Sequence, residues 1–344
     1  MSEALLEIEN LKIQFRSGKS IVQPIRGVNF KIKKGETLGV VGESGSGKSV
    51  TSLSIMGLLP SGTSEIVEGK IMFDGKDLTK LNDRQFQKIR GNEISMIFQE
   101  PMTSLNPVFT IGEQLSEPLL QHKKMSKQQM RKAVIDVLKQ VGIPRAEQII
   151  DEYPHQLSGG MRQRVMISMA LLCQPKLMIA DEPTTALDVT IQAQILELMK
   201  KIKTENDMGL LLITHDLGVI AEMCDRVVVM YAGEVVEMAN VVELFDDPQH
   251  PYTQGLIRSL PSKNQRKDRL YSIKGQVPRP NEIPKGCVFA NRCPFAFSKC
   301  IEETPPVFEK DNHLSKCWLQ DENYRRGEDG SETTIGSSES QKVF

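Results

Sequence analysis

The chain has 344 residues, room for about two domains at roughly 150 residues each, and its 43 Lys and Arg against 44 Asp and Glu leave a formal net charge of -1. That balance excludes the strong basic field of a dedicated nucleic-acid binder, while 39% hydrophobic and 25% charged residues exclude wholesale disorder or a fibrous repeat. The longest apolar stretch, from Val165 to Cys173, is nine residues long and already contains Ser168, so no segment is expected to span a bilayer alone.

The first residues, Met1 to Glu7, are acidic and lack a basic start followed by an apolar core, which sets a cytoplasmic location as the expectation. Residues 5 to 15 and 25 to 32 alternate apolar with polar, a period of two that predicts half-buried antiparallel strands. Thr37 to Val41 is a short apolar run, and a Gly/Ser loop then leads into a helical pattern, giving a strand, loop, helix unit. Further buried strands are expected at Ile94 to Phe98, Leu177 to Ala180, Leu210 to Ile213 and Val227 to Tyr231, separated by helical stretches, so the sheet should be largely parallel. Residues 100 to 158 read as a helical insertion, with a helix over Gln128 to Gln140 starting after Ser126 as N-cap. After Asp188, the residues Ile191, Ile195, Leu198 and Ile202 are spaced 4, 3 and 4 and share one helix face, which is core packing. Beyond about residue 256 the texture turns Pro-rich and Cys-rich. The stretch from Arg326 onward is low-complexity and polar, a tail expected to be disordered. No internal repeat is present, so the first 255 residues form one unit.

Three motifs carry chemistry. Gly42-Glu43-Ser44-Gly45-Ser46-Gly47-Lys48-Ser49 fits G-x-x-x-x-G-K-[ST] between a strand and a helix. Its glycines let backbone N–H groups turn toward the β- and γ-phosphates of a nucleotide, Lys48 bridges their oxygens, and the Ser49 hydroxyl ligates Mg²⁺. Leu177 to Ala180 is an apolar strand ending in Asp181 and Glu182. Asp181 is expected to hold Mg²⁺ and Glu182 to act as general base on the attacking water, since two adjacent carboxylates at the mouth of a buried strand repel unless a cation neutralises them. Leu157-Ser158-Gly159-Gly160 precedes a helical run and offers a second anion site. One triphosphate cannot occupy both sites, so the second is expected to complete the nucleotide pocket of another subunit.

Taken in order, the P-loop, Gln99, Leu157-Ser158-Gly159-Gly160, Asp181-Glu182, Ala186-Leu187-Asp188 and His215 resemble the motif set of nucleotide-binding subunits of ATP-binding cassette transporters over about residues 5 to 255. The resemblance implies a P-loop NTPase of the α/β class with an antiparallel β subdomain and a helical subdomain. It also implies that Gln99 contacts Mg²⁺ and the membrane partner, that Asp188 lies at a dimer interface, that His215 senses the γ-phosphate, and that Phe15 stacks on adenine, where many relatives have Tyr. Met161 replaces the usual Gln after Leu-Ser-Gly-Gly, a departure that leaves the anion contacts of Ser158, Gly159 and Gly160 in place.

Gln99-Glu100-Pro101-Met102-Thr103-Ser104-Leu105-Asn106-Pro107 and His250-Pro251-Tyr252-Thr253, followed by an extension over residues 256 to 325, narrow the resemblance to ATPase subunits of oligopeptide, dipeptide and nickel importers. The implied partners are a second ATPase subunit, usually a paralogue in this group, two transmembrane permease subunits and an external solute-binding protein, with this chain peripheral on the cytoplasmic face of the membrane. A soluble cassette mechanoenzyme acting in translation or DNA repair is the competing class, but such chains carry two cassettes or long coiled coils. A purely regulatory nucleotide sensor is disfavoured by Glu182.

Cys287, Cys293, Cys300 and Cys317 fall within 31 residues, with 5, 6 and 16 residues between them. Structural zinc sites favour pairs two to four residues apart, whereas thiolate ligation of an iron-sulfur cluster accommodates varied spacing, and Cys293-Pro294 echoes ferredoxin-like ligand runs. Zinc and unligated thiols stay open. Relatives with this extension imply a 4Fe-4S cluster there, with a structural role. Cys173 and Cys224, in apolar surroundings, are expected to be inert core thiols.

Overall fold

The computed structural model describes residues 4–18, 20–99, 104–185, 187–260, 271–279 and 282–322. The segment 100–103, Ala186 and the tail from 326 onward therefore lie outside the described residues, and with them the disorder expected of the tail.

The two alternating segments form an antiparallel pair, β1 (Ala4–Ser17) and β2 (Ser20–Lys33), with Leu6 opposite Ile32, Ile8 opposite Phe30 and Ile13 opposite Ile25. A bulge between Ile8 and Leu11, where Asn10 takes a left-handed φ of 43°, shifts the period so that Leu6, Ile8, Leu11 and Ile13 all remain buried. β4 (Ser64–Phe73) pairs on the other side of β1, and β5 (Lys76–Asp77) closes this four-stranded sheet.

Among the described residues the main sheet has eight strands: β3 (Thr37–Val41), β6 (Ile94–Ile97), β7 (Leu177–Asp181), β8 (Gly209–Ile213), β9 (Arg226–Tyr231), β10 (Glu234–Asn240), β11 (Phe308–Lys310) and β12 (His313–Ser315). Strands β9, β3, β8, β7 and β6 lie side by side and parallel, and β10, β12 and β11 continue the sheet antiparallel. The parallel strands read as unbroken apolar runs because both faces are covered. Leu211, Ile213, Val228 and Met230 pack toward the four-stranded sheet, whereas Leu210, Leu212, Val227 and Val229 pack into the larger core shared with the helices.

No strand occurs in the described part of the insertion, residues 104–158, which contains helices Ile111–His122, Lys127–Gln140 and Ala146–Ile149. Ser126 caps the second of these in a reciprocal pair with Gln129. The helix expected after Asp188 runs Val189–Asn206 and buries Ile195, Leu198 and Ile202, with Ile191 partly covered. Among the described residues no helix is long and apolar enough to cross a membrane.

The Cys-rich segment does not stand apart. Its β12 pairs with β10, and Phe289 packs against Tyr231, Tyr252 and His250 with ring centroids 5.2, 5.4 and 5.8 Å away.

Candidate nucleotide site

Parallel pairing brings the motifs together. Val40 is opposite Ile213, Ile213 opposite Asp181, and Ile97 opposite Ala180, so β3, β8, β7 and β6 end at one edge of the sheet. The residues that follow these ends are Gly42, Thr214-His215, Glu182 and Phe98-Gln99. Four segments distant in sequence thus meet at the carboxyl edge, where ligands bind in open α/β sheets.

The loop after β3 has the backbone its glycines predict. Gly42, Gly45 and Gly47 have φ values of 152°, 82° and 102°. A Cβ on Gly42 would stand 2.2 Å from the Met230 carbonyl oxygen, so only glycine fits there. Helix Lys48–Ile55 follows, with Gly47 at its N-cap. The buried Lys48 ammonium donates to the carbonyl oxygens of Gly42 at 2.7 Å and Glu43 at 3.1 Å. Burial pulls its pKa below the usual lysine value, opposed by the charges of Glu182, Asp181 and Glu43.

At the end of β7, burial raises the Asp181 pKa; a hydrogen bond from Ser49 opposes this and repulsion from Glu182 adds to it. A serine hydroxyl and a carboxylate side by side are suitable oxygen donors for Mg²⁺. Glu182 has a left-handed φ of 50°, and its N–H donates to the Ile213 carbonyl at 2.8 Å. Its carboxylate gathers two further motif residues and one threonine: Gln99 Nε2 donates at 3.3 Å, Thr185 Oγ1 donates at 2.9 Å, and His215 Nδ1 lies 3.1 Å away. Burial alone would raise its pKa. The bonds to His215, Thr185 and Gln99 outweigh that and hold it below the usual glutamate range.

Other expected site residues lie outside this cluster. Phe15 sits on β1 opposite Val22 and Ser64, partly buried against the core of the small sheet. Ser158 caps helix Gly159–Leu171 and is exposed, and Gly160 lies against Ile191. No hydrogen bond among the described residues joins Ser158, Gly159 or Gly160 to the P-loop. Asp188 is the N-cap of helix Val189–Asn206, its Oδ1 accepting from the N–H groups of Thr190 at 3.1 Å and Ile191 at 3.0 Å.

The four clustered cysteines are free thiols, with Cys287, Cys300 and Cys317 buried and Cys293 partly so. Burial pushes Cys293 up to about 11 and Cys317 up to about 12, with the neighbouring cysteines adding to both. The four are therefore within electrostatic range of one another. Yet among the described residues no group of three or more His, Cys, Asp or Glu side chains is arranged to hold a metal ion, so the side chains as they stand do not form a cluster site. Cys173 and Cys224 are buried in the larger core, and burial raises both thiol pKa values.

Thr185, Tyr252 and Arg292 are contacts that the motifs do not announce. The Glu43 N–H donates to the Tyr252 hydroxyl at 2.9 Å, and Arg292 reaches the Glu43 carboxylate from 249 residues away. Tyr252 stands in the His250-Pro251-Tyr252-Thr253 run and Arg292 directly before Cys293, so proximity to marked motifs was the only available signal.

A phosphate-binding loop, an acidic strand end and a carboxylate tied to Gln99 and His215, all on one parallel sheet edge, define a P-loop ATPase of the cassette type. Comparison with known proteins carries this further. The ABC transporter family matches residues 25–185, and the family described as oligopeptide/dipeptide transporter, C-terminal region, matches residues 236–300. The oligopeptide transport ATP-binding protein AppD of Bacillus subtilis (strain 168) is 56% identical over 319 residues, covering 92% of this chain and 97% of its own. The dipeptide transport ATP-binding protein DppD of the same strain is 52% identical over 321 residues, covering 93% and 96%. Among solved structures, the dimeric post-hydrolysis state of the ATP-binding cassette MJ0796 bound to ADP and Pi superposes with a TM-score of 0.62 at 31% identity, covering 69% of this chain and 98% of that one. CbiO1 from Clostridium perfringens, part of the transporter complex cbiONQ, gives 0.61 at 28% identity, covering 72% and 92%. The chain belongs to the ATP-binding cassette transporter family, in its oligopeptide/dipeptide transport ATP-binding group.

Proposed function

We propose that this chain binds and hydrolyses ATP to power peptide uptake through separate transmembrane subunits, from a peripheral position on the cytoplasmic face of the membrane. The observation that carries the reading is the convergence of Gln99, Asp181, Glu182 and His215 on the sheet edge that bears the P-loop. ATP phosphates would be received by the N–H groups of Gly45 to Ser49, and Lys48 would exchange its two carbonyl partners for phosphate oxygens. Glu182, kept ionised by its hydrogen bonds, would accept the proton of the attacking water, and His215 would hold that carboxylate and report on the γ-phosphate. Ser49, Asp181 and Gln99 would hold Mg²⁺, which when bound supplies charge neutralisation at the phosphates.

Ser158, Gly159, Gly160 and Asp188 belong in this reading to the pocket of a partner cassette, and Phe15 to the adenine. Ser158, Gly159 and Gly160 make no hydrogen bond to the P-loop among the described residues, which supports a site shared between two subunits, as does the likeness to a cassette solved as a dimer. The partner would be a paralogue, with two permease subunits and a solute-binding protein completing the assembly. The relatives, an oligopeptide and a dipeptide transport ATP-binding protein, favour peptides over nickel. Copurification of the assembled complex with mass spectrometry of its subunits, followed by uptake assays in vesicles, tests the proposal. ATP-dependent accumulation of labelled di- and oligopeptides supports it; accumulation of nickel alone, or copurification with ribosomes and no permease, overturns it.

The 4Fe-4S reading of Cys287, Cys293, Cys300 and Cys317 is carried by the donor set alone, four free thiols close enough to perturb one another. It enters no step of ATP turnover. Anaerobic purification giving a brown protein with about four irons per chain supports it. A colourless anaerobic preparation overturns it.

A further inference from the structure

The P-loop carries a carboxylate of its own. Glu43 follows Gly42 directly, its carbonyl accepts from Lys48 Nζ at 3.1 Å and from the Ser46 N–H at 3.2 Å, and its N–H is taken by Tyr252. An unneutralised carboxylate at that place would repel a triphosphate held by the same loop. Arg292 answers it: Nη1 lies 3.1 Å from both Glu43 oxygens and 3.2 Å from the Tyr231 hydroxyl, and the side chain is only 6% exposed. The rest of the guanidinium is fixed by backbone carbonyls, Nε to Lys274 at 2.9 Å and Nη2 to Gly275 at 3.2 Å and Ile273 at 3.4 Å. A buried arginine is tolerated when its donors are filled and its charge is matched. Here the matching charge belongs to the phosphate loop.

We infer that Arg292 is a positioning residue for ATP: reaching in from the Cys-rich segment, it neutralises Glu43 and, together with Tyr252, sets the conformation of the P-loop that receives the phosphates. The inference rests on the nucleotide-binding reading of that loop and extends it to a residue outside the cassette motifs. The alternative is a structural tie, in which Arg292 only pins residues 273 to 275 to the body of the protein. The two differ in one respect, because a structural tie acts whether or not Glu43 is charged.

The full chain is compared with R292A, R292K, R292Q, E43Q and the E43Q/R292A double variant. The readouts are binding of a fluorescent ATP analogue, KM and kcat for ATP, and the thermal midpoint without nucleotide. R292A should weaken analogue binding and raise KM by roughly tenfold or more, with kcat at saturating ATP falling far less. R292K should restore most of the affinity, because it returns the charge. Adding R292A to E43Q should cost less than about threefold, since the group to be neutralised is gone. If R292A fails to give a cooperative melt, R292Q, which keeps a donor and most of the volume but no charge, should show the loss of affinity instead. Wild-type affinity in R292A or R292Q, or an equal penalty for R292A in both backgrounds, overturns the inference. A wild-type chain that binds no ATP analogue would instead refute the nucleotide-binding reading itself.

Discussion

Glu182 and His215 are 33 residues apart in sequence, yet Oε1 of the first lies 3.1 Å from Nδ1 of the second. The register of β7 against β8, with Asp181 opposite Ile213, enforces this meeting. It also explains why the carboxylate stays ionised although it is largely buried, since burial disfavours its charge and three side chains restore it.

Replacing Glu182 with Gln removes the proposed proton acceptor at nearly constant size. ATP binding should persist while steady-state hydrolysis falls by about 10² or more, the range that general-base catalysis supplies. Parallel measurement of analogue binding and phosphate release checks this, and near-normal turnover would refute the role.

His215→Ala removes the strongest of the bonds that lower the Glu182 pKa. A depressed carboxylate keeps its base form until the pH falls through that low value, so the acid limb of wild-type kcat should lie below the ordinary glutamate value of about 4.3. In His215→Ala the limb should move upward, as burial then meets less opposition. A pH profile of kcat for the two proteins decides the matter.

If Ser158 acts on the nucleotide held by Lys48 of another subunit, mixing a Lys48→Ala chain with a Ser158→Arg chain should leave one site with both lesions and one with neither, provided the chains pair. Activity of the mixture should exceed that of either variant alone. Full activity at concentrations where the chain is monomeric would exclude sharing.

His250 is fully buried, its Nδ1 accepts from the Tyr252 N–H at 3.1 Å, and burial pushes its pKa down to about 4 against the opposing charge of Glu237. The unfolded chain binds the proton near pH 6.5 while the folded chain refuses it, so stability should be unaffected above that pH and fall between about 6.5 and 4. Asn at this position keeps a capping acceptor and cannot titrate. Thermal melts at pH 7.5 and 5 should therefore show a smaller acid loss in His250→Asn than in the wild type.

Gly47→Ala tests the loop backbone. Its φ of 102° is hostile to a side chain, and the new Cβ would stand 2.6 Å from Ile25 Cδ1 and 3.0 Å from the Pro24 carbonyl oxygen. A loss of about 1–3 kcal/mol is expected in denaturant unfolding, together with loss of nucleotide binding.

What the sequence made legible was local. Periods of two and of 3.6 marked β1, β2 and the Val189–Asn206 helix, and unbroken apolar runs marked β3 and β6 to β9, because each pattern records which faces are covered. β4 carries no such pattern: its first half exposes Glu65, Val67 and Glu68, so only Ile71 and Phe73 show a buried face. The motif residues of the site were readable through the cassette resemblance. The pairing of Arg292 with Glu43 was not, since charge complementarity between two residues 249 positions apart leaves no periodic trace. Asp188 illustrates a different limit, as one side chain can be read from its motif as an interface residue while it visibly serves as a helix cap.

The pairing of β12 with β10 matters for solubility. Without it, the outer side of β10 around Glu237 and Met238 would present unpaired N–H and C=O groups, the template on which a stray strand from another molecule can assemble. Among the described residues this side of the sheet instead ends in β11, three residues long with Glu309 and Lys310 exposed, a short charged edge that recruits poorly. Residues 308–315 thus seal the β10 side of the sheet, whose opposite margin is β6.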